Sequence, residues 1–381
     1  MSIAAVVPLL VAALALSACA AAPPPAPAGD EPLAGLRLIG EQRIPYRQVF
    51  QGTVVGGLSG IDYDAASRSW IIESDDRSEY SPARFYTARL DYDDQQFRAV
   101  TLEAVDLLRQ ADGSSYPSAA EYPARGGEVA DVEAIRFDPL DGGIWYASEG
   151  NGPLGMAPFI RQAAADGGYR RQLPLPAMFT PVPQVSGPRS NLSFEGLSFA
   201  PDGQSLWLGM EAPMQQDGAL ATPEHGAVSR FSRFDRSGRM LAQYAYPLDP
   251  VQGVPAPGRF GDNGVAEILA LDTHRLLALE RSGVQDAGGR FEFHIRLYLV
   301  ELAGASDIGT YATLQGAVYR PAGKRLLLDL NAAGLDRVDN LEGMSWGPRL
   351  RNGHRSLVLV SDDNFSPQQV TQLLVFEVLP Q

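Results

Sequence analysis

The chain repeats one short pattern five times: a strand that opens on a polar residue, a turn, and a second strand that ends in carboxylates. The plainest copy reads Ser193-Phe-Glu-Gly-Leu-Ser-Phe-Ala-Pro-Asp-Gly and continues to Leu-Trp-Leu-Gly-Met-Glu211. Two more copies begin at Asp131 and Asn340, and looser ones begin at Gly57 and Val265. Aligned on these copies, the opening position holds Ser59, Glu133, Glu195, Glu267 and Glu342. The closing acids are Asp75, Glu149, Glu211, Glu280 and Asp362. Apolar residues alternate after the opening acid (Leu197, Phe199) and Pro-Asp-Gly supplies turn chemistry, so each unit reads as a β-hairpin.

The openings lie roughly 60–75 residues apart, which leaves room for four strands per unit. This predicts an all-β propeller of five four-stranded blades; a six-bladed ring is the alternative and would need a further hairpin in 311–330. The stretch 36–44 alternates but has no hairpin partner, and the C-terminal strand 372–379 leaves the last blade one strand short. The N-terminal strand is therefore expected to complete that blade, close the ring and cover two open edges. In a propeller the innermost strand begins on the face where the second strand ends. Both sets of carboxylates should then meet at one channel mouth, where their mutual repulsion requires cations.

With 381 residues, 45% hydrophobic content and 39 glycines, the chain can bury the core of one large β domain. A net charge of −14 without a basic run argues against nucleic acid or an anionic membrane surface as the main partner. The expected partner is a small anionic substrate or ligand bound by a monomer. Other chemistries lack their signals. There is no Gly-x-Ser-x-Gly elbow, the glycine-rich turns lack a following Lys-Ser, and His225, His274, His294 and His354 stand singly, without zinc-ligand spacing.

Residues 3–16 are apolar but short for a membrane span, and they lead into Leu16-Ser-Ala-Cys19 and an Ala/Pro-rich run. This resembles a bacterial lipoprotein signal, although 1–8 carry no Lys or Arg. The resemblance implies a signal peptide over 1–18, a lipid on the sulfur of Cys19, a flexible tether over 19–35 and the propeller over 36–381. Membrane contact would run only through the lipid, at the bacterial envelope. Cys19 is the only cysteine, which excludes an intramolecular disulfide.

Ordered phrases along 36–379 carry a second resemblance. They are Ser74-Asp-Asp-Arg77 with Arg84-Phe-Tyr86, Ser148-Glu-Gly with Phe159-Ile-Arg161, Asn191-Leu-Ser-Phe-Glu-Gly-Leu197, Leu279-Glu-Arg281, Asn340-Leu-Glu-Gly-Met344 and Ser361-Asp-Asp-Asn-Phe365. In these the chain resembles the phytase-like domain family, "esterase-like activity of phytase". The resemblance implies hydrolysis of phosphate or carboxylic esters, with Ca²⁺ at the acidic channel mouth. On that reading Asp75, Glu149, Glu211, Glu267, Glu280 and Asp362 are metal ligands. Glu133, Glu195 and Glu342 are the catalytic carboxylates, one of them a general base, and Arg84, Arg161 and Arg281 grip the anionic substrate. The chain departs from the pattern at Asp363, where Asn is expected, and at Ser59, which replaces an opening Glu. Two alternatives stand beside it: acids that accept backbone N–H groups and pair with the arginines, and a propeller that binds without catalysing.

Overall fold

A computed structural model describes Met1 and residues 33–380; the signal segment, Cys19 and the tether up to residue 32 lie outside the described residues. The first strand, β1 (Leu33–Ile44), is followed by a small ribbon of β2 (Val49–Phe50) and β3 (Thr53–Val54). Five four-stranded antiparallel sheets then follow one another along the chain. Blade one is β4 (Ile61–Asp64), β5 (Ser69–Ser74), β6 (Arg84–Tyr92) and β7 (Phe97–Leu107). Blade two is β8 (Val132–Phe137), β9 (Ile144–Ser148), β10 (Phe159–Ala163) and β11 (Tyr169–Gln172). Blade three is β12 (Phe194–Phe199), β13 (Ser205–Met210), β14 (Ala227–Asp235) and β15 (Met240–Leu248). Blade four is β16 (Gly261–Ala270), β17 (Arg275–Gln285), β18 (Phe291–Glu301) and β19 (Gly323–Asp329).

Blade five has β20 (Asn340–Trp346), β21 (Ser356–Asp362) and β22 (Thr371–Pro380), and it borrows β1 as its fourth strand. The ladder runs from Leu33 opposite Pro380 to Ile44 opposite Thr371. The N-terminal strand thus closes the ring as the unpartnered alternation at 36–44 predicted. It begins earlier than expected: Leu33 and Gly35, assigned to the tether from sequence, already pair with β22. The ring has five blades among the described residues, because 311–330 supplies only β19.

Alternation dictates how the blades pack. Successive side chains on a strand face opposite sides, so in β5 Ile71 meets blade two while Ile72 meets blade five. An apolar cluster fills every junction. Phe85, Ile135 and Tyr146 lie between blades one and two, Trp145, Phe194 and Leu208 between two and three, and Trp207, Phe231 and Ile268 between three and four. Leu279, Leu297 and Leu359 lie between four and five, and Ile72, Tyr86 and Val360 between five and one. Each fully buried Leu, Ile or Phe contributes about 1.5–3 kcal/mol of transfer free energy, and the five wedges together hold the inner strands in a ring.

A buried arginine stands at the centre of that ring. Arg136 of β8 donates to the carbonyls of Ile61 (2.6 Å), Ile135 (2.9 Å), Met344 (3.2 Å) and Leu197, and it pairs with Glu267. One side chain therefore touches the innermost strand of every blade.

Candidate metal centre at the channel mouth

The inner strands position their acids through β-bulges. The register of β8 on β9 slips between Val132 and Ala134, that of β12 on β13 between Phe194 and Gly196, and that of β20 on β21 between Leu341 and Gly343. The bulged residues are Glu133, Glu195 and Glu342, and a bulge re-aims its side chain off the regular pleat. The residue after each bulge is small because the inner strands converge there: a Cβ on Gly343 would lie 2.4 Å from the Ser59 carbonyl oxygen.

The second strands return to the same face. The backbone N–H groups of Asp75, Glu149 and Glu211 donate to the carbonyls of Gly57 (2.8 Å), Asp131 (2.9 Å) and Ser193 (2.8 Å). The corresponding ladder pair in blade five is Asn340 with Asp362, and in blade four it is Gly264 with Arg281. Strand-end acids therefore come from blades one, two, three and five.

Blade four departs from the sequence alignment by one residue. Its bulge falls between Val265 and Glu267, so the counterpart of Glu133, Glu195 and Glu342 is Ala266. The counterpart of Asp75, Glu149, Glu211 and Asp362 is Arg281. A one-residue slip turns every side chain to the opposite face, and both acids assigned to the mouth in this blade lie elsewhere. Glu267 reaches under the mouth to Arg136 and accepts from the N–H of Leu197 (3.1 Å) and Ile268 (2.9 Å). Glu280 accepts from Tyr246 Oη (2.8 Å) and Asn263 Nδ2 (3.0 Å) and pairs with Lys324.

The remaining acids converge. Single oxygens of Asp131, Glu133 and Glu149 lie within 4.8 Å of one another, as do those of Glu149, Glu195 and Glu211; Glu149 belongs to both groups. Burial pushes the carboxyls of Glu133, Glu149 and Glu195 well above the ordinary range, and neighbouring carboxylates push them further. Burial likewise raises Asp75 and Asp362, with Asp362 acting on the first and Glu342 on the second. Glu211 is pushed up to about 8, burial outweighing the opposing Arg281 guanidinium.

The donor set fits a hard divalent cation, since it consists of carboxylate and amide oxygens. Some oxygens near them have no protein partner: both of Glu73 and Oδ1 of Asn340 are buried without a hydrogen bond. Asn340 Nδ2 meanwhile donates to Glu342 Oε1 (3.0 Å) and Asp362 Oδ2 (3.2 Å). Unpaired buried oxygens cost about 1–3 kcal/mol each unless something satisfies them.

Of the three arginines assigned to substrate, two are sealed inside the protein. Arg84 pairs with Asp76 at 2.6 Å and donates to Tyr86 Oη (2.7 Å) and the Ser81 carbonyl (3.0 Å). Arg161 pairs with Glu128 and donates to Tyr116 Oη (2.6 Å) and Gln172 Oε1 (2.7 Å). Arg230, at the same level of blade three, holds Asp217 in the same way at 2.6 Å. These third-strand arginines anchor the long loops that wall the mouth. Arg281 does reach the mouth, held by Glu211 (2.7 Å), Asp262 (3.5 Å) and Glu342 (3.4 Å).

Sequence reasoning missed Asp131, Glu73, Asp262 and Arg77 at the mouth. Arg77 lies 2.8 Å from Asp131 and keeps 41% of its side chain exposed. Asp131 was visible as the residue that opens the second copy of the repeat.

A family model described as "Phytase-like: Esterase-like activity of phytase" matches residues 53–365. No curated protein matches significantly. Among solved structures, the Dos1 propeller shares 5% identity at a TM-score of 0.33, with 84% of this chain and 67% of that one covered. A mannose phosphorylase from Leishmania mexicana in complex with phosphate ion shares 9% at 0.39, covering 89% and 88%. A gluconolactonase from Xanthomonas campestris shares 12% at 0.30, covering 91% and 98%.

Proposed function

Since this chain belongs to the phytase-like family, described by esterase-like activity of phytase, we propose that it is a divalent-metal-dependent hydrolase of phosphate or other anionic esters. The observation that carries this reading is the pair of buried carboxylate groups sharing Glu149. Asp131, Glu133, Glu149, Glu195 and Glu211 would hold the ion, and calcium is the expected one because every donor is a hard oxygen. When bound, a divalent ion offsets charge that develops on the ester and makes water a stronger nucleophile.

The chain's own residues supply the rest. Of the three bulge glutamates, Glu342 alone stands outside both groups and it keeps 13% of its side chain exposed, so it is the one assigned to accept a proton from water. Arg77, half out of the protein beside Asp131, would orient the anionic part of the substrate. Through Cys19 the enzyme would be tethered to a bacterial envelope by lipid.

The test is release of inorganic phosphate or p-nitrophenol from a panel of esters, with added calcium and with chelator. Turnover in calcium that disappears in chelator is expected. Calcium binding without turnover on any ester would instead make the protein a binding propeller.

A further inference from the structure

The mouth is not five-fold in its charges. At the strand-end position blades one, two, three and five carry Asp75, Glu149, Glu211 and Asp362, whereas blade four carries Arg281 opposite Gly264. At the bulge position blade four carries Ala266 where three other blades carry Glu. In this sector a ligand acid is thus replaced by a cation and its companion acid is deleted.

The surroundings are shaped to bring acids onto that cation. Arg281 Nη2 lies 2.7 Å from Glu211 of blade three, Nη1 lies 3.5 Å from Asp262, and Nε lies 3.4 Å from Glu342 of blade five. Glu211 reaches across only because residue 264 is glycine: a Cβ there would lie 2.4 Å from Glu211 Cγ. Arg281 Nε makes no hydrogen bond, and Asn340 Oδ1, on a residue only 3% exposed whose amide nitrogen holds Glu342, has no partner. The amide of Asn340 touches Glu342 and Asp362 through its nitrogen, and its unpartnered oxygen together with the three carboxylates that hold Arg281 makes a set of hard oxygen donors.

We propose that Arg281 is a resident cation standing in for a metal ion in the fourth sector of the ring, and that its removal opens an additional divalent-cation site among Glu211, Asp262, Glu342 and Asn340. The inference rests on the metal reading of the mouth, and it makes the metal load of this chain a property set by one side chain. It also limits Arg281 as a substrate grip, because its guanidinium is engaged with the ring.

The experiment counts calcium. The full chain, Arg281→Met, Arg281→Lys and the double variant Arg281→Met/Glu342→Gln are dialysed against calcium alone, and bound ions per chain are measured by elemental analysis and native mass spectrometry. Arg281→Met should bind one ion more than wild type, whereas Arg281→Lys and the double variant should bind the wild-type number. In chelator Arg281→Met should melt below wild type, and saturating calcium should raise its melting temperature by more than it raises that of wild type. An unchanged ion count in Arg281→Met overturns the proposal while leaving the metal reading intact. So does an Arg281→Met chain that stays unfolded in saturating calcium, since calcium then fails to replace the guanidinium. If neither wild type nor Arg281→Met binds calcium, both readings fall together.

Discussion

Glu149 is the residue whose replacement separates metal ligation from a purely structural role. It belongs to both carboxylate groups, so it faces four acids whose oxygens lie within 4.8 Å in their respective groups. At an effective dielectric of about 20, two ionised carboxylates at that distance repel by about 3 kcal/mol. Protonation relieves part of this, which is why burial and neighbouring acids hold its carboxyl well above the ordinary range. Glu149→Gln removes one charge from both groups yet leaves an oxygen able to accept the Ser193 N–H. In chelator at pH 7.5 the variant should therefore be more stable than wild type by about 1–3 kcal/mol, a few degrees in melting temperature. Calcium should reverse the order. At a hundredfold excess over Kd a site bound only in the folded state adds about 2.7 kcal/mol, and the variant forfeits much of that gain because both groups have lost a charged donor. Calorimetric melting of the two proteins in chelator and in calcium measures all four values. If Glu149→Gln is destabilised equally in both conditions, Glu149 is a backbone acceptor and the centre is not built around it.

Three further outcomes follow from the fold. Arg136→Met should cost about 3–5 kcal/mol in urea unfolding, because it leaves Glu267 as an unpaired buried charge and frees carbonyls on four inner strands. Burial lifts Glu267 from 4.5 to about 7 against the pull of Arg136, so the folded chain binds more protons than the unfolded one in that window. Stability should then fall as pH rises from 4.5 to 7, by at most about 1.4 kcal/mol per pH unit from this group, and Glu267→Gln should lose that component of the slope. Deleting residues up to Ile44 exposes the edge of β22; the truncated chain should aggregate, as measured by light scattering, while a cut before Leu33 leaves the ladder whole.

The ring was legible because hairpins announce themselves locally. Alternating apolar residues and Pro-Asp-Gly fixed the strands of blade three, and the lone alternation at 36–44 pointed to the closing strand. Blade four misled for an equally local reason. Its sequence reads Val265-Ala-Glu-Ile-Leu, and matching acid to acid places Glu267 with Glu195, whereas the packing matches Ile268 with Leu197, Ile135 and Met344. Aligning the apolar residue after each acid would have assigned Ala266 and Arg281 correctly, since packing and not charge sets strand register. Arg136 lies beyond any such pattern. Its partners come from five separate stretches of chain, and no short-range spacing encodes a contact across the channel. Arg84 and Arg161 were read as substrate ligands because the sequence displays their charge but not the loops folded over them.

The direction of the closing strand has a topological consequence. β1 meets Pro380 at its start and Thr371 at its end, while β22 sets out from the acidic face just after Asp362. The leading segment of the polypeptide therefore joins the propeller from behind, on the side away from the carboxylates. Entry at Leu33 thus leaves the acidic opening clear of the point where the closing strand begins, so the two ends of the channel are free to serve different surroundings.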